Sequence, residues 1–132
     1  MAKVLVLSGI LTFSLHEWLG CKVVTEEDIT GNRDYKAVTE SDKVKIASAV
    51  RNNEFDLIIV MVAKDDEGAG MEKVRAIKQV GDDLCRKIIV VSIFALDEAK
   101  NEDYRAIGVA RLITTLNIID CVEQELSLRK AA

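Results

Sequence analysis

A chain of 132 residues with 49% hydrophobic and 30% charged side chains is one domain with a single core, and is no disordered polymer. Its formal net charge of -4 and pI near 5.1 argue against a nucleic-acid surface, which needs a basic patch. Cys21, Cys85 and Cys121 are an odd set at wide spacing with no CxxC pair, so neither a disulfide framework nor a metal site is expected, only reduced, buried thiols.

The apolar run after Lys3 is too short for a secretory signal or a membrane span, which leaves the expectation of a cytoplasmic protein with no membrane contact. Val4 to Leu7 reads as a central first strand ending at Ser8 and Gly9. Ile10 to Leu19 places Leu11, Leu15, Trp18 and Leu19 at helical spacing, with Gly20 just beyond as a stop. Residues 21–34 stay open: Thr25 and Asp28 resemble a capping box, while Lys22 to Val24 is either an extra strand or a helix continuation. Tyr35 to Thr39 alternates like an edge strand. Ser41 or Asp42 then caps a helix in which Val44, Ala47 and Val50, with Ile46 alongside, form the buried stripe as far as Asn52.

Six consecutive apolar residues, Leu57 to Val62, fit a strand covered on both faces, and therefore a parallel sheet. Gly70 precedes a helix with Met71, Val74, Ile77 and Val80 on one face, closed by Gly81. Lys87 to Val91 is the next strand, ending at Ser92; Asp97 to Ala106 is a helix and Val109 to Ile113 a fifth strand. Asn117 caps a last helix carrying Ile118, Ile119, Val122 and Leu126. Five strands alternating with five helices define a doubly wound α/β fold in one domain over residues 1–132. One crevice follows, at the carboxyl ends of the strands, walled by the loops after Leu7, Val62, Val91 and Ile113.

Few residues near that crevice point to chemistry. Asp65, Asp66 and Glu67 are adjacent carboxylates without a distant partner, which reads as a solvated turn before a cation site. Gly68 and Gly70 answer a turn requirement more simply than a phosphate cradle. His16 is the only histidine and has no recognisable nucleophile partner, and Ser92 has no recognisable base. Lys73, Arg75 and Lys78 read as the solvated face of one helix. Phe13 and Trp18 are core candidates, whereas Phe94 and Tyr104, flanking the fourth helix, are candidates for a contact surface.

The order and spacing from Tyr35 onward resemble the receiver domain of two-component response regulators, of the chemotaxis-regulator type. YKAVTESDKVKIASAVRNNEFDLIIV is similar to that family's second strand, second helix and third strand, and GMEKVRAIK to the helix start after its phosphorylation loop. KIIVVS resembles the fourth strand with its terminal hydroxyl, and AIGVARLI the turn into the fifth. The resemblance implies a flavodoxin-like five-stranded parallel sheet, order 2-1-3-4-5, with helices on both faces. It also implies a phosphorylated aspartate ending the third strand, an acidic pair holding Mg²⁺, a Ser or Thr on the phosphoryl group and a neutralising Lys.

Carried over position by position, the aspartate falls on Met61, the acidic pair on Ser8 and Gly9, and the lysine on Thr114, with Thr115 where a proline is usual. Ser92 alone keeps its chemistry, and the rotating aromatic of the fifth strand falls on Arg111, or on Leu112 one register away. The implied protein is a degenerate receiver without its phosphorylation site. It would be no enzyme, use no cofactor or metal, and act in signalling through a protein partner or a second copy. The contact side would be the fourth helix, fifth strand and fifth helix, with Phe94, Tyr104 and Arg111 as its candidate residues. The alternative is a flavodoxin-like small-molecule-binding domain or enzyme using the crevice lined by Ser8, Gly9, Ser92 and Thr114. A third reading is a scaffold that mainly dimerises.

Overall fold

Three apolar runs make the centre of the sheet: β1 (Lys3–Leu7), β3 (Leu57–Val62) and β4 (Ile88–Ser92). Every residue of β3 and β4 is buried, as a parallel strand covered on both faces requires. With β2 (Lys22–Thr25) and β5 (Arg111–Thr114) at the edges, the sheet is all parallel in the order β2-β1-β3-β4-β5. The computed structural model describes residues 2–7, 20–31, 38–62, 68–92, 98–114 and 118–131.

Five helices accompany the strands among the described residues: α1 (Glu26–Thr30), α2 (Glu40–Asn52), α3 (Ala69–Val80), α4 (Glu98–Ile107) and α5 (Ile118–Ala131). A 3-10 turn, Asp82–Lys87, leads into β4. The alternation of side chains along each strand divides the core in two. Leu5, Leu7, Ile58, Val60 and Val62 point to the face packed by Ile46 and Val50 of α2, Val74 and Ile77 of α3, and Tyr104 of α4. Val4, Val6, Ile59, Met61 and Val91 point to the other, against Ile118, Cys121 and Val122 of α5. Each fully buried aliphatic side chain stabilises the fold by roughly 1.5–3 kcal/mol in transfer terms, so these two layers dominate the driving force.

Several expectations are corrected. The second strand is Lys22–Thr25, paired with β1 from Lys3↔Lys22 to Val6↔Thr25, and not Tyr35 to Thr39. Residues 35–37 lie outside the described residues, and Thr39 caps α2 in place of Ser41 or Asp42. Its hydroxyl accepts from the Asp42 N–H at 3.0 Å while the Asp42 carboxylate accepts from the Thr39 N–H at 3.1 Å, a reciprocal capping box. Thr25 and Asp28 form a second box that starts α1, which Gly31 ends at φ 74°, a left-handed conformation suited to glycine. Val44 is not part of the buried stripe of α2: it is 68% exposed. Gly70 lies inside α3, whose first residue is Ala69, and the fifth strand runs from Arg111, two residues later than expected. The expected helix Ile10 to Leu19 and its residues Phe13, His16 and Trp18 lie outside the described residues, as does Asn117.

Candidate functional site

Order and register bring the carboxyl ends of the central strands together. Leu7 stands beside Val60, Met61 beside Val91, and Val62, Ser92 and Thr114 form one row across β3, β4 and β5. Met61 is 6% exposed and belongs to the α5-side core with Ile59, Val91 and Cys121. A buried thioether at that place offers neither a phosphoryl acceptor nor a hard-cation ligand. Ser92 is buried at the end of β4, and Thr114 ends β5 directly beside it. Ser8 and Gly9, like the acidic run Asp65 to Glu67 and Phe94, lie outside the described residues. Among the described residues no group of three His, Cys, Asp or Glu side chains is placed to hold a metal ion. No described helix is long and apolar enough to cross a membrane.

Among the described residues, a buried ion pair sits on the opposite face of the sheet. Lys73, expected on a solvated surface, is fully buried, and its Nζ lies 2.6 Å from Oε1 of Glu26, itself 3% exposed. Glu26 is the first residue after β2, held there by the Thr25 capping box. Lys73 lies on the inner stripe of α3, between Gly70 and the pair Val74 and Ile77, all of them buried. That stripe was the signal available in the sequence: positions 70, 73, 74 and 77 share one helical face, so position 73 had to be buried whatever its charge. Arg75 and Lys78 are exposed as expected.

Burial pushes the Glu26 carboxyl above its ordinary range; the ion pair with Lys73 opposes this, and the nearby Asp42 charge adds to it. This pair lies on the α2–α4 side of the sheet, whereas Met61 packs toward α5 on the other face. The thiols of Cys85 and Cys121 are likewise pushed up by burial, so both are poor nucleophiles.

The contact-surface candidates fare differently from one another. Tyr104 is 3% exposed and packs into the core beneath α4, so it is not a surface anchor. Arg111 is half-buried: its Nε donates to Oε1 of Glu125 at 2.5 Å and its Nη1 to Oε1 of Gln124 at 3.3 Å. It lines an open groove of about 620 Å³ together with Asp120 and Glu123 of α5.

No family model matches the sequence, and no curated protein is similar to it. Among solved structures the chain is similar to a response regulator from Thermotoga maritima, with a TM-score of 0.62 and 18% identity over 96% of this chain and 98% of that one. The fold is receiver-like. At that identity the likeness carries the architecture alone and leaves the chemistry to the residues themselves.

Proposed function

We propose that this receiver-like domain is a regulatory module that works through protein contacts and accepts no phosphoryl group. The observation that supports it most is Met61, a buried apolar side chain at the end of β3 where receivers carry the acceptor carboxylate. Thr114 at the end of β5 adds to it, since it brings no cation to neutralise a phosphoryl group. The module catalyses no reaction of its own, and its partner-binding side is α4, β5 and α5, where the groove beside Arg111 carries the acidic side chains of Asp120 and Glu123.

Incubation with acetyl phosphate and Mg²⁺, beside an active receiver as a control, tests the central point by intact mass. The expected spectrum holds the unmodified chain alone. A stable phosphate adduct on an aspartate overturns the proposal.

A further inference from the structure

The loop from α2 into β3 lies at the amino ends of the strands, where the Asp56 N–H donates to the carbonyl of Lys3, the first residue of β1. This is the opposite end of the sheet from the crevice. There the buried side chains of Val50, Phe55 and Ile58, with the half-buried Leu84 of the 3-10 turn, line a pocket of about 290 Å³. Small-molecule sites are concave and mostly apolar, with a few placed polar groups, and start at about this volume. The space suits one aromatic ring or a short branched alkyl chain.

Three charged residues line the same pocket: Arg51, Glu54 and Lys87. Arg51 and Glu54 are exposed, whereas Lys87 is half-buried and its Nζ donates to the carbonyl oxygen of Phe55 at 3.0 Å. Neither cation pairs with Glu54 or with any other carboxylate among the described residues. The α2 dipole accounts for Arg51, which stands in the last turn of that helix. Lys87 is a different case. A single neutral carbonyl leaves two of the three ammonium N–H groups unused and a partly desolvated charge without a counter-ion. The end of α2 is capped by its own chain, since the Ala49 carbonyl accepts from the Asn53 N–H at 3.1 Å and from Asn53 Nδ2 at 2.9 Å.

We propose that this pocket binds a small carboxylate with an apolar body. The ring or branched chain rests on Val50, Phe55, Ile58 and Leu84, the carboxylate accepts from Lys87 Nζ, and the Arg51 guanidinium closes on it from the rim. Charge-assisted hydrogen bonds of this kind are about twice as strong as neutral ones. Two cations against Glu54 leave one net positive charge on the lining, so a monoanion is matched and a dianion meets repulsion from Glu54. The inference is independent of whether the domain accepts phosphate.

Amide-detected NMR titration of the isotope-labelled chain tests it, with phenylacetate and isovalerate as probes. Phenylacetamide and acetate serve as controls, the first without the charge and the second without the apolar body. Both probes are expected to give saturable shifts at the amides of residues 51–55 and 84–87, and both controls to bind at least about fivefold more weakly. Lys87→Met is expected to weaken phenylacetate binding about tenfold or more. Because Lys87 also holds the Phe55 carbonyl, Arg51→Gln is the variant that separates binding from folding. It breaks no contact, and is expected to weaken binding about threefold to tenfold with an unchanged melting temperature. Phenylacetamide binding as tightly as phenylacetate overturns the proposal, as does an Arg51→Gln chain that binds phenylacetate like wild type. So does the absence of saturable shifts from both probes at millimolar concentration.

Discussion

Lys73 and Glu26 close against each other at 2.6 Å, with neither side chain reaching solvent, and so join the end of β2 to the inside of α3. Two charges out of water are costly, and their attraction offsets that cost only while both are present. Lys73→Met leaves the Glu26 carboxylate buried without its cation and is expected to destabilise the fold by about 3–5 kcal/mol in urea denaturation. Glu26→Leu combined with Lys73→Met removes both charges and should recover most of that loss. A double variant as unstable as the single one would show that the pair's geometry, and not its charge balance, holds α3 in place.

The same pair sets a pH dependence. Burial raises the folded-state value of Glu26 above the 4.5 of a free glutamate, so between those two values the folded chain holds a proton that the unfolded chain has released. Stability from this group is therefore complete below pH 4.5 and is lost as pH rises through the folded value. Glu26→Gln lacks the titration. The melting temperature of wild type minus that of Glu26→Gln is expected to fall from acid toward neutral pH, opposite to the trend of a salt-bridged surface carboxylate. A difference that is flat or rises with pH contradicts the assignment.

Met61 behaves as core in this reading, and its substitutions should follow packing. Met61→Leu conserves volume and is expected to cost less than about 1.5 kcal/mol. Met61→Ala leaves a cavity between β3 and α5 and is expected to cost about 2–5 kcal/mol. Met61→Asp places a carboxyl among Ile59, Val91 and Cys121 and should cost at least as much as alanine. Chemical denaturation of the three variants gives the order directly. An aspartate variant as stable as leucine would mean that the position is wet and polar.

Much of this architecture could be read from residue order, because β1, β3 and β4 are continuous apolar runs that have no other reading in a chain this size. The edge was harder. KVVT is four residues with one partner strand, and Tyr35 to Thr39 alternates as convincingly in isolation. Val44 and Ile46 both satisfy helical periodicity near the start of α2, and only the packing of α2 against α3 decides that Ile46 turns inward. At the strand ends, Met61 and Thr114 could be read directly as an apolar and an uncharged polar side chain. Glu26 and Lys73 could not be read as a pair, since their meeting depends on which strand lies beside β1. A rule that assigns lysines to solvent hid Lys73, although its neighbours Val74 and Ile77 marked its face as buried.

Asp42 serves two roles that substitution can separate. As the third residue of α2 it completes the capping box with Thr39, and its charge pushes the neighbouring Glu26 carboxyl upward. Thr39→Ala removes the oxygen that accepts the Asp42 N–H and is expected to cost about 1 kcal/mol. That cost should not vary across the acid range, because no charge is altered. Asp42→Asn keeps an oxygen able to accept from the Thr39 N–H but removes the negative charge, so it should lower the titration of Glu26 and narrow its pH window. Melting curves from pH 4 to 7 should therefore show a parallel downward shift for the threonine variant and a changed slope for the asparagine variant. Identical slopes in the two would place Asp42 too far from Glu26 to be felt, and leave its carboxylate a helix cap alone.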